Sequence, residues 1–165
     1  MAHPKQASWI HGNVFVPESA ADGKFAQVAS IPFTNRVGFP RGDGKIFRGQ
    51  PGSDNWFHAS IPTPVLVDGV RVRAEKVFVL FRSDPGARIE NVHVWDGSQR
   101  KIFEDNILRL TGNFSATIGG SNPWIIPGSP EMQWGLGLSV RVNFLQGAHI
   151  IFTSAGADFV WTQFN

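Results

Sequence analysis

The sequence predicts an all-β protein, a two-layer antiparallel β-sandwich of jelly-roll kind, with a closed β-barrel as the alternative. Three observations predict it. Helical periodicity is almost absent, and 18 Gly and 11 Pro leave few ten-residue windows without a breaker. The apolar positions are dominated by β-branched and aromatic residues, which suit a pleated surface. Finally, Trp134, Leu136, Leu138, Val140, Val142 and Phe144 alternate with Gly135, Gly137, Ser139, Arg141 and Asn143, a period of two over eleven residues.

The other elements follow in order. Ser8 to Val16 alternates as a strand, and Lys45-Ile46-Phe47-Arg48 is a short strand between Gly-rich turns. Val65 to Val72 is a hairpin, because Asp68-Gly69 supplies the positive φ angles of a type I′ turn between apolar flanks. Lys76 to Phe81 is apolar on both sides, which predicts a strand buried between layers. Arg88 to Trp95 is a strand closed by Asp96-Gly97, and Ser83-Asp84-Pro85-Gly86 joins it to the preceding strand as a second hairpin. Lys101 to Leu110 holds one strand or one turn of helix. Gly120 to Pro123 and Pro127 to Pro130 read as loops around Trp124-Ile125-Ile126. His149 to Thr153 and Ala157 to Phe164 read as a closing pair. Roughly ten strands at intervals of about 8–15 residues imply a sandwich or barrel. No internal repeat or linker divides the chain, so residues 1–165 are expected to form a single domain.

Composition narrows the function classes. Charged residues make up 17 % of the chain, and the formal net charge is +2. The densest basic group, Arg71, Arg73 and Lys76, reads as a solvated strand face, so nucleic acid is not an expected partner. The absence of Cys excludes disulfides, thiolate nucleophiles and Cys-based metal sites, and the absence of Tyr removes the phenolic acid or base. Met1 to Ser8 has no apolar signal core, and no run approaches 18 apolar residues, so no membrane span is expected. The default expectation is a cytoplasmic protein, with leaderless export still compatible.

Motifs for chemistry are thin. The histidines His3, His11, His58, His93 and His149 show no metal-ligand spacing. His58 and His93 with Asp54 or Asp96 are the one cross-strand combination to consider. Asp22-Gly23, Asp43-Gly44, Asp68-Gly69 and Asp96-Gly97 are turn dipeptides rather than a calcium loop. Arg41-Gly42-Asp43 reads as a turn, and Asn113-Phe114-Ser115 as a chance sequon. No G-x-S-x-G elbow, selectable carboxylate pair or phosphate-binding glycine loop is present. No metal or other cofactor is called for.

The informative constellation is aromatic. Asn55-Trp56-Phe57-His58 and His93-Val94-Trp95 each space Trp and His two apart, which puts them on one strand face, opposite Phe57, Ala59, Ile61, Val92 and Val94. Trp56, His58, Asn91, His93 and Trp95 are therefore the candidate ligand-binding residues. Sugar rings present the complement, C–H faces that stack on indole and hydroxyls that bond to Asn or His, at about 1 kcal/mol per aromatic contact. Asn55 and Asp96 would add polar contacts at the strand ends. The alternative places these side chains in a second core layer, with Phe78 and Leu80 beneath them. Gly135, Gly137 and Ser139 leave bare backbone, expected to be covered by Trp124 or Trp161, with a ligand or another subunit as the alternatives.

The segments Ala7 to Asn13, Asn55 to His58 with Ile61 to Pro64, Asn91 to Gly97 and Gly135 to Val140 resemble a family of short bacterial proteins known only as a domain of unknown function. The resemblance covers most of the chain. It implies a compact, single-domain bacterial protein and carries over no functional residue.

The leading reading is a non-catalytic ligand-binding protein, its ligand a glycan or other small hydroxylated molecule on the Trp/His face. One alternative is a small enzyme using His58 or His93 as general base in an apolar pocket. Another is a structural protein that assembles into homo-oligomers through exposed strand edges.

Overall fold

Thirteen strands and one 3-10 turn make up the regular structure of residues 5–19, 38–98 and 100–162, the residues the computed structural model describes. The first five strands are β1 (Lys5–His11), β2 (Val16–Pro17), β3 (Phe39–Arg41), β4 (Gly44–Arg48) and β5 (Ser53–Ile61). Then come β6 (Leu66–Val67), β7 (Val70–Arg71), β8 (Arg73–Ser83), β9 (Ala87–Asp96) and β10 (Arg100–Asp105). The last three are β11 (Pro123–Ile125), β12 (Leu136–Phe144) and β13 (His149–Val160), and the 3-10 turn is Gly12–Val14. His3, the Asp22-Gly23 dipeptide and Phe164 lie outside the described residues.

Two antiparallel sheets face each other. The back sheet runs β11-β8-β13-β4-β3, with β1 also paired to β13, and the front sheet runs β10-β9-β12-β5-β2. Neither sheet closes on itself, so the fold is a sandwich and not a barrel. Taken in sequence, β4, β5, β8, β9, β10, β11, β12 and β13 pair first with last in the back sheet and second with seventh in the front sheet. That nested order is the double Greek key of a jelly roll.

The core lies between the sheets. In β12, Leu136, Leu138, Val140, Val142 and Phe144 are each no more than 2 % exposed, as the alternation requires. Phenylalanines join the layers: Phe15 stacks on Phe152 at 4.2 Å, and Phe57 packs against Phe47 at 4.6 Å and Phe152 at 5.3 Å. Each such ring removed from water contributes about 1.5–3 kcal/mol. Asp68 and Gly69 take φ of 51° and 76°, so the β6–β7 hairpin turns as its sequence dictates.

Four local expectations are corrected. Ser8 to Val16 is not one strand, because the 3-10 turn Gly12–Val14 separates β1 in the back sheet from β2 in the front. The long strand begins at Leu136, because Gly135 at φ 142° breaks the alternation and Trp134 swings out to 80 % exposure. Ser83 to Gly86 is no hairpin: β8 belongs to the back sheet and β9 to the front, so the turn carries the chain across the sandwich. His149 to Thr153 and Ala157 onward are one continuous strand, β13. Its register against β8 shifts between Phe152 and Ser154, a bulge that breaks the period of two without ending the strand.

Phe78 and Leu80 sit on β8, in the layer opposite the Trp/His segments. Phe78 is only 4 % exposed because the Trp9 indole stacks on it at 5.4 Å and 18°, passing over Gly156. The two-sided apolar character of β8 thus reflects a tryptophan lid on the back sheet, not a second core layer beneath Trp56 and Trp95.

Candidate functional site

The outer face of the front sheet is built from rows that cross β5, β12 and β9. Ser60, Gly137 and Trp95 align in one row, His58, Ser139 and His93 in the next, and Trp56, Arg141 and Asn91 in the third. Their chain neighbours Phe57, Ala59, Ile61, Val92 and Val94 are all buried in the core, so the period-two assignment of faces holds.

A shallow groove of about 470 Å³ opens over the first two rows. Gly137 and Ser139 form its floor, Trp95, Gly97 and Ser98 one wall, and His58 and Ser60 the other. Val14 and Val16 bound it where the 3-10 turn leads into β2. Among the described residues a Cβ at Gly137 would touch only the Trp95 Cβ, at 3.6 Å, so they leave the floor as open backbone. His58 Nδ1 and Ser139 Oγ share a hydrogen bond of 2.9 Å. The expected cover by Trp124 or Trp161 is not there: Trp124 is buried on β11 in the back sheet, and Trp161 packs at the core margin beyond β13.

Of the five residues read from sequence, His58 and Trp95 line this groove. Trp56, Asn91 and His93 form an adjoining network. Trp56 packs on His93 at 4.7 Å, and Asn106 Oδ1 accepts from both Asn91 Nδ2 at 2.8 Å and His93 Nε2 at 2.6 Å. Because that carbonyl oxygen can only accept, His93 carries its proton on Nε2. Arg141 donates through Nε to Asp54 at 2.9 Å and through Nη1 toward Asn91 at 3.5 Å. At the edge, Lys101 pairs with Glu104 and sits 5.9 Å from the Trp95 ring centre. Lys101, followed by Asn106, holds the Glu104 carboxyl below the usual carboxylate range.

The two extra polar residues play other parts. Asn55 is buried and binds the backbone of Ser19 on both sides. Asp96 is 0 % exposed, and its carboxylate accepts from the backbone N–H groups of Gln133 (2.8 Å), Trp134 (2.8 Å) and Gly135 (3.2 Å). That clamp fixes the loop before β12 and projects Trp134 beside the groove. There a second hollow of about 420 Å³, sharing Ser60, Gly97 and Gly137 with the first, runs on to Trp134. Sequence alternation had put Trp134 on the core side. The signal against that was Gly135, the one residue able to adopt the needed φ without strain.

Other titratable groups lie elsewhere. His11 bonds to the Gly42 carbonyl, and His149 to Asp84 at 3.0 Å. Burial pushes the Asp84 carboxyl up, but bonds from the His149 backbone and ring outweigh it and hold the group below its usual range. Among the described residues no three His, Asp or Glu side chains gather into a metal-ligating group. His58 and His93 face each other across Ser139, two strand spacings or about 9–10 Å apart in backbone terms.

Fold and surface together define a jelly-roll sandwich with an open aromatic and hydroxyl-lined groove on its front sheet. By sequence the chain belongs to DUF6623, a family of unknown function, whose model matches residues 4–155. Membership of a family of unknown function is what the resemblance of the segments Ala7 to Asn13, Asn55 to His58 with Ile61 to Pro64, Asn91 to Gly97 and Gly135 to Val140 implied. None of the curated proteins compared with the chain matches it.

Proposed function

We propose that the protein is a non-catalytic binding protein that takes a hydroxylated ligand, a glycan, in the groove on its front sheet. The observation that carries this reading is that Trp95 and the His58–Ser139 pair line one hollow floored by the bare backbone of Gly137. An indole wall supplies the apolar face that a sugar ring stacks on, and the hydroxyls and imidazole supply bonds to its substituents. Glycine in the floor lets the ligand approach the sheet closely. Trp56, Asn91 and His93 would then act as the supporting wall, since their polar atoms already bond to one another and to Asn106.

The general-base reading draws less support. The His58 ring is oriented by the Ser139 hydroxyl and, among the described residues, not by a carboxylate, and the Nε2 of His93, 3.8 Å from Glu104, is engaged with Asn106. Edge-to-edge assembly is opposed on the front sheet by the charged strand β10, with Arg100, Lys101, Glu104 and Asp105.

The test is retention of the full chain on a broad panel of immobilised glycans, followed by calorimetry on any hit. Trp95→Ala should weaken binding about five- to tenfold, the equivalent of one lost stacking contact, while thermal unfolding stays cooperative. Trp56→Ala should weaken it less. Failure to retain any glycan, or a Trp95→Ala variant that binds as tightly as the parent, overturns the proposal.

A further inference from the structure

We infer that the groove holds a linear, uncharged oligosaccharide across two adjoining subsites, one against Trp95 and one against Trp134; this rests on the reading of the front face as a glycan site. Extent is the first argument. The hollows of about 470 and 420 Å³ are each of ligand size, and they meet over Ser60, the bare backbone of Gly137, and Gly97, against which the Trp134 side chain lies. Each has room for a sugar ring, and a chain of sugars would occupy both.

Charge is the second argument. Among the described residues, His58 is the one titratable side chain lining either hollow. Asp96 lies at the junction but is fully buried, its oxygens bonded to the backbone of residues 133–135. Recognition of carboxylated or sulfated sugars calls for Arg or Lys donors in the site. The described cations around the junction are engaged outside the lining: Lys101 pairs with Glu104, Arg100 bonds to the Glu131 carbonyl and lies 3.6 Å from the buried Asp96, and Arg71 bonds to the carbonyls of Met132 and Gln133.

Preorganisation is the third. Trp134 is 80 % exposed, yet a buried carboxylate fixes its backbone. A large exposed indole held in place binds without the ordering cost of a mobile loop. A proline-rich peptide is another occupant that aromatic grooves admit. The hydrogen-bonding groups spaced along the walls, Ser60, Ser98 and His58, favour the hydroxyl-rich ligand.

The experiment titrates the full chain with β-1,4-linked oligomers of glucose, xylose, mannose and N-acetylglucosamine, one to six units long, with oligogalacturonate as the charged control and a polyproline peptide as the other class. For at least one neutral series, affinity should rise tenfold or more between one and four units and then level off. Trp134→Ala, a change at an exposed side chain, should abolish most of that gain while leaving the affinity for the shortest ligand unchanged. Trp95→Ala should weaken short and long ligands alike. Equal affinity for disaccharide and hexasaccharide, a length gain that survives Trp134→Ala, or preference for oligogalacturonate overturns the two-subsite inference and leaves the glycan reading standing. Binding of polyproline with no neutral or charged glycan bound overturns both.

Discussion

Both sheets carry a row in which tryptophan, glycine and a third residue align across three strands on the outer face, and the two rows end differently. On the back sheet Trp9, Gly156 and Phe78 are in register. The indole lies over the glycine and stacks on the phenylalanine, so close that a Cβ at Gly156 would fall 2.5 Å from the ring. On the front sheet the row is Trp95, Gly137 and Ser60, and the glycine stays uncovered. The residue beyond the glycine decides the outcome. Phe78 offers apolar surface to bury, and an indole folding onto it gains both area and stacking. Ser60 offers a hydroxyl that prefers water, so Trp95 stays at the wall and the backbone between them remains accessible. A bare glycine beside a tryptophan is thus a lid on one face and a groove on the other.

The largest effect should come from the clamp that shapes the open face. Asp96→Ala strips the acceptor from three backbone N–H groups around a fully buried position. Loss of a buried charge-assisted network of this kind costs about 3–5 kcal/mol, which for a chain of this size lowers Tm by roughly 6–20 °C. Thermal unfolding followed by circular dichroism measures it. A variant within a degree of the parent would mean that the loop carrying Trp134 is held by something else.

Next is the closed face. Phe78→Ala removes the ring beneath Trp9 and should cost about 3–4 kcal/mol in urea unfolding, with glycan binding on the front sheet unchanged. The glycines then divide the two faces directly. Gly156→Ala forces the Trp9 ring off its stack, for a loss of about 1–3 kcal/mol. Gly137→Ala meets only an ordinary contact, so stability should hold or rise by up to about 1 kcal/mol, because alanine restricts the unfolded chain more. Its effect should appear in binding, where the added methyl occupies the groove floor. Equal destabilisation by the two substitutions would remove the distinction between lid and groove.

Much of this was legible in the sequence, and the failures share a cause. Period-two alternation placed Trp56, His58, His93 and Trp95 on one face and Val92, Val94, Phe57 and Ile61 in the core, because alternation fixes the face of every residue in an unbroken strand. What alternation cannot carry is the partner of a strand. Ser83 to Gly86 has the composition of a hairpin turn, yet it links different sheets. Nor does the pattern survive a local change of backbone: the bulge after Phe152 and the positive φ of Gly135 each reset it, and the second moved Trp134 from the supposed core to the rim of the groove. The apolar outer residue Phe78 was visible, but its cover was not, since Trp9 reaches it from a strand 69 positions earlier in the chain through a glycine on a third strand.

The smallest prediction sets the two faces against each other by pH. On the back sheet, burial raises the Asp158 carboxyl above its ordinary value of 3.8, against the attraction of Lys76. A carboxyl raised on folding contributes most below its unfolded value, and that contribution is lost as pH rises through the folded one. At pH 7 the ionised Asp158 is therefore a slight burden, and Asp158→Asn should raise Tm by about 1–2 °C there and not at pH 3. On the front sheet Glu104 has the opposite sign, because Lys101 and Asn106 lower its carboxyl. Its contribution is present above the unfolded value and lost as pH falls through the folded one, so Glu104→Gln should lower Tm at pH 7 and converge with the parent in acid. Melting curves of both variants at pH 7 and pH 3 give the result, and shifts of the same sign would show that the two faces do not differ in how they hold charge.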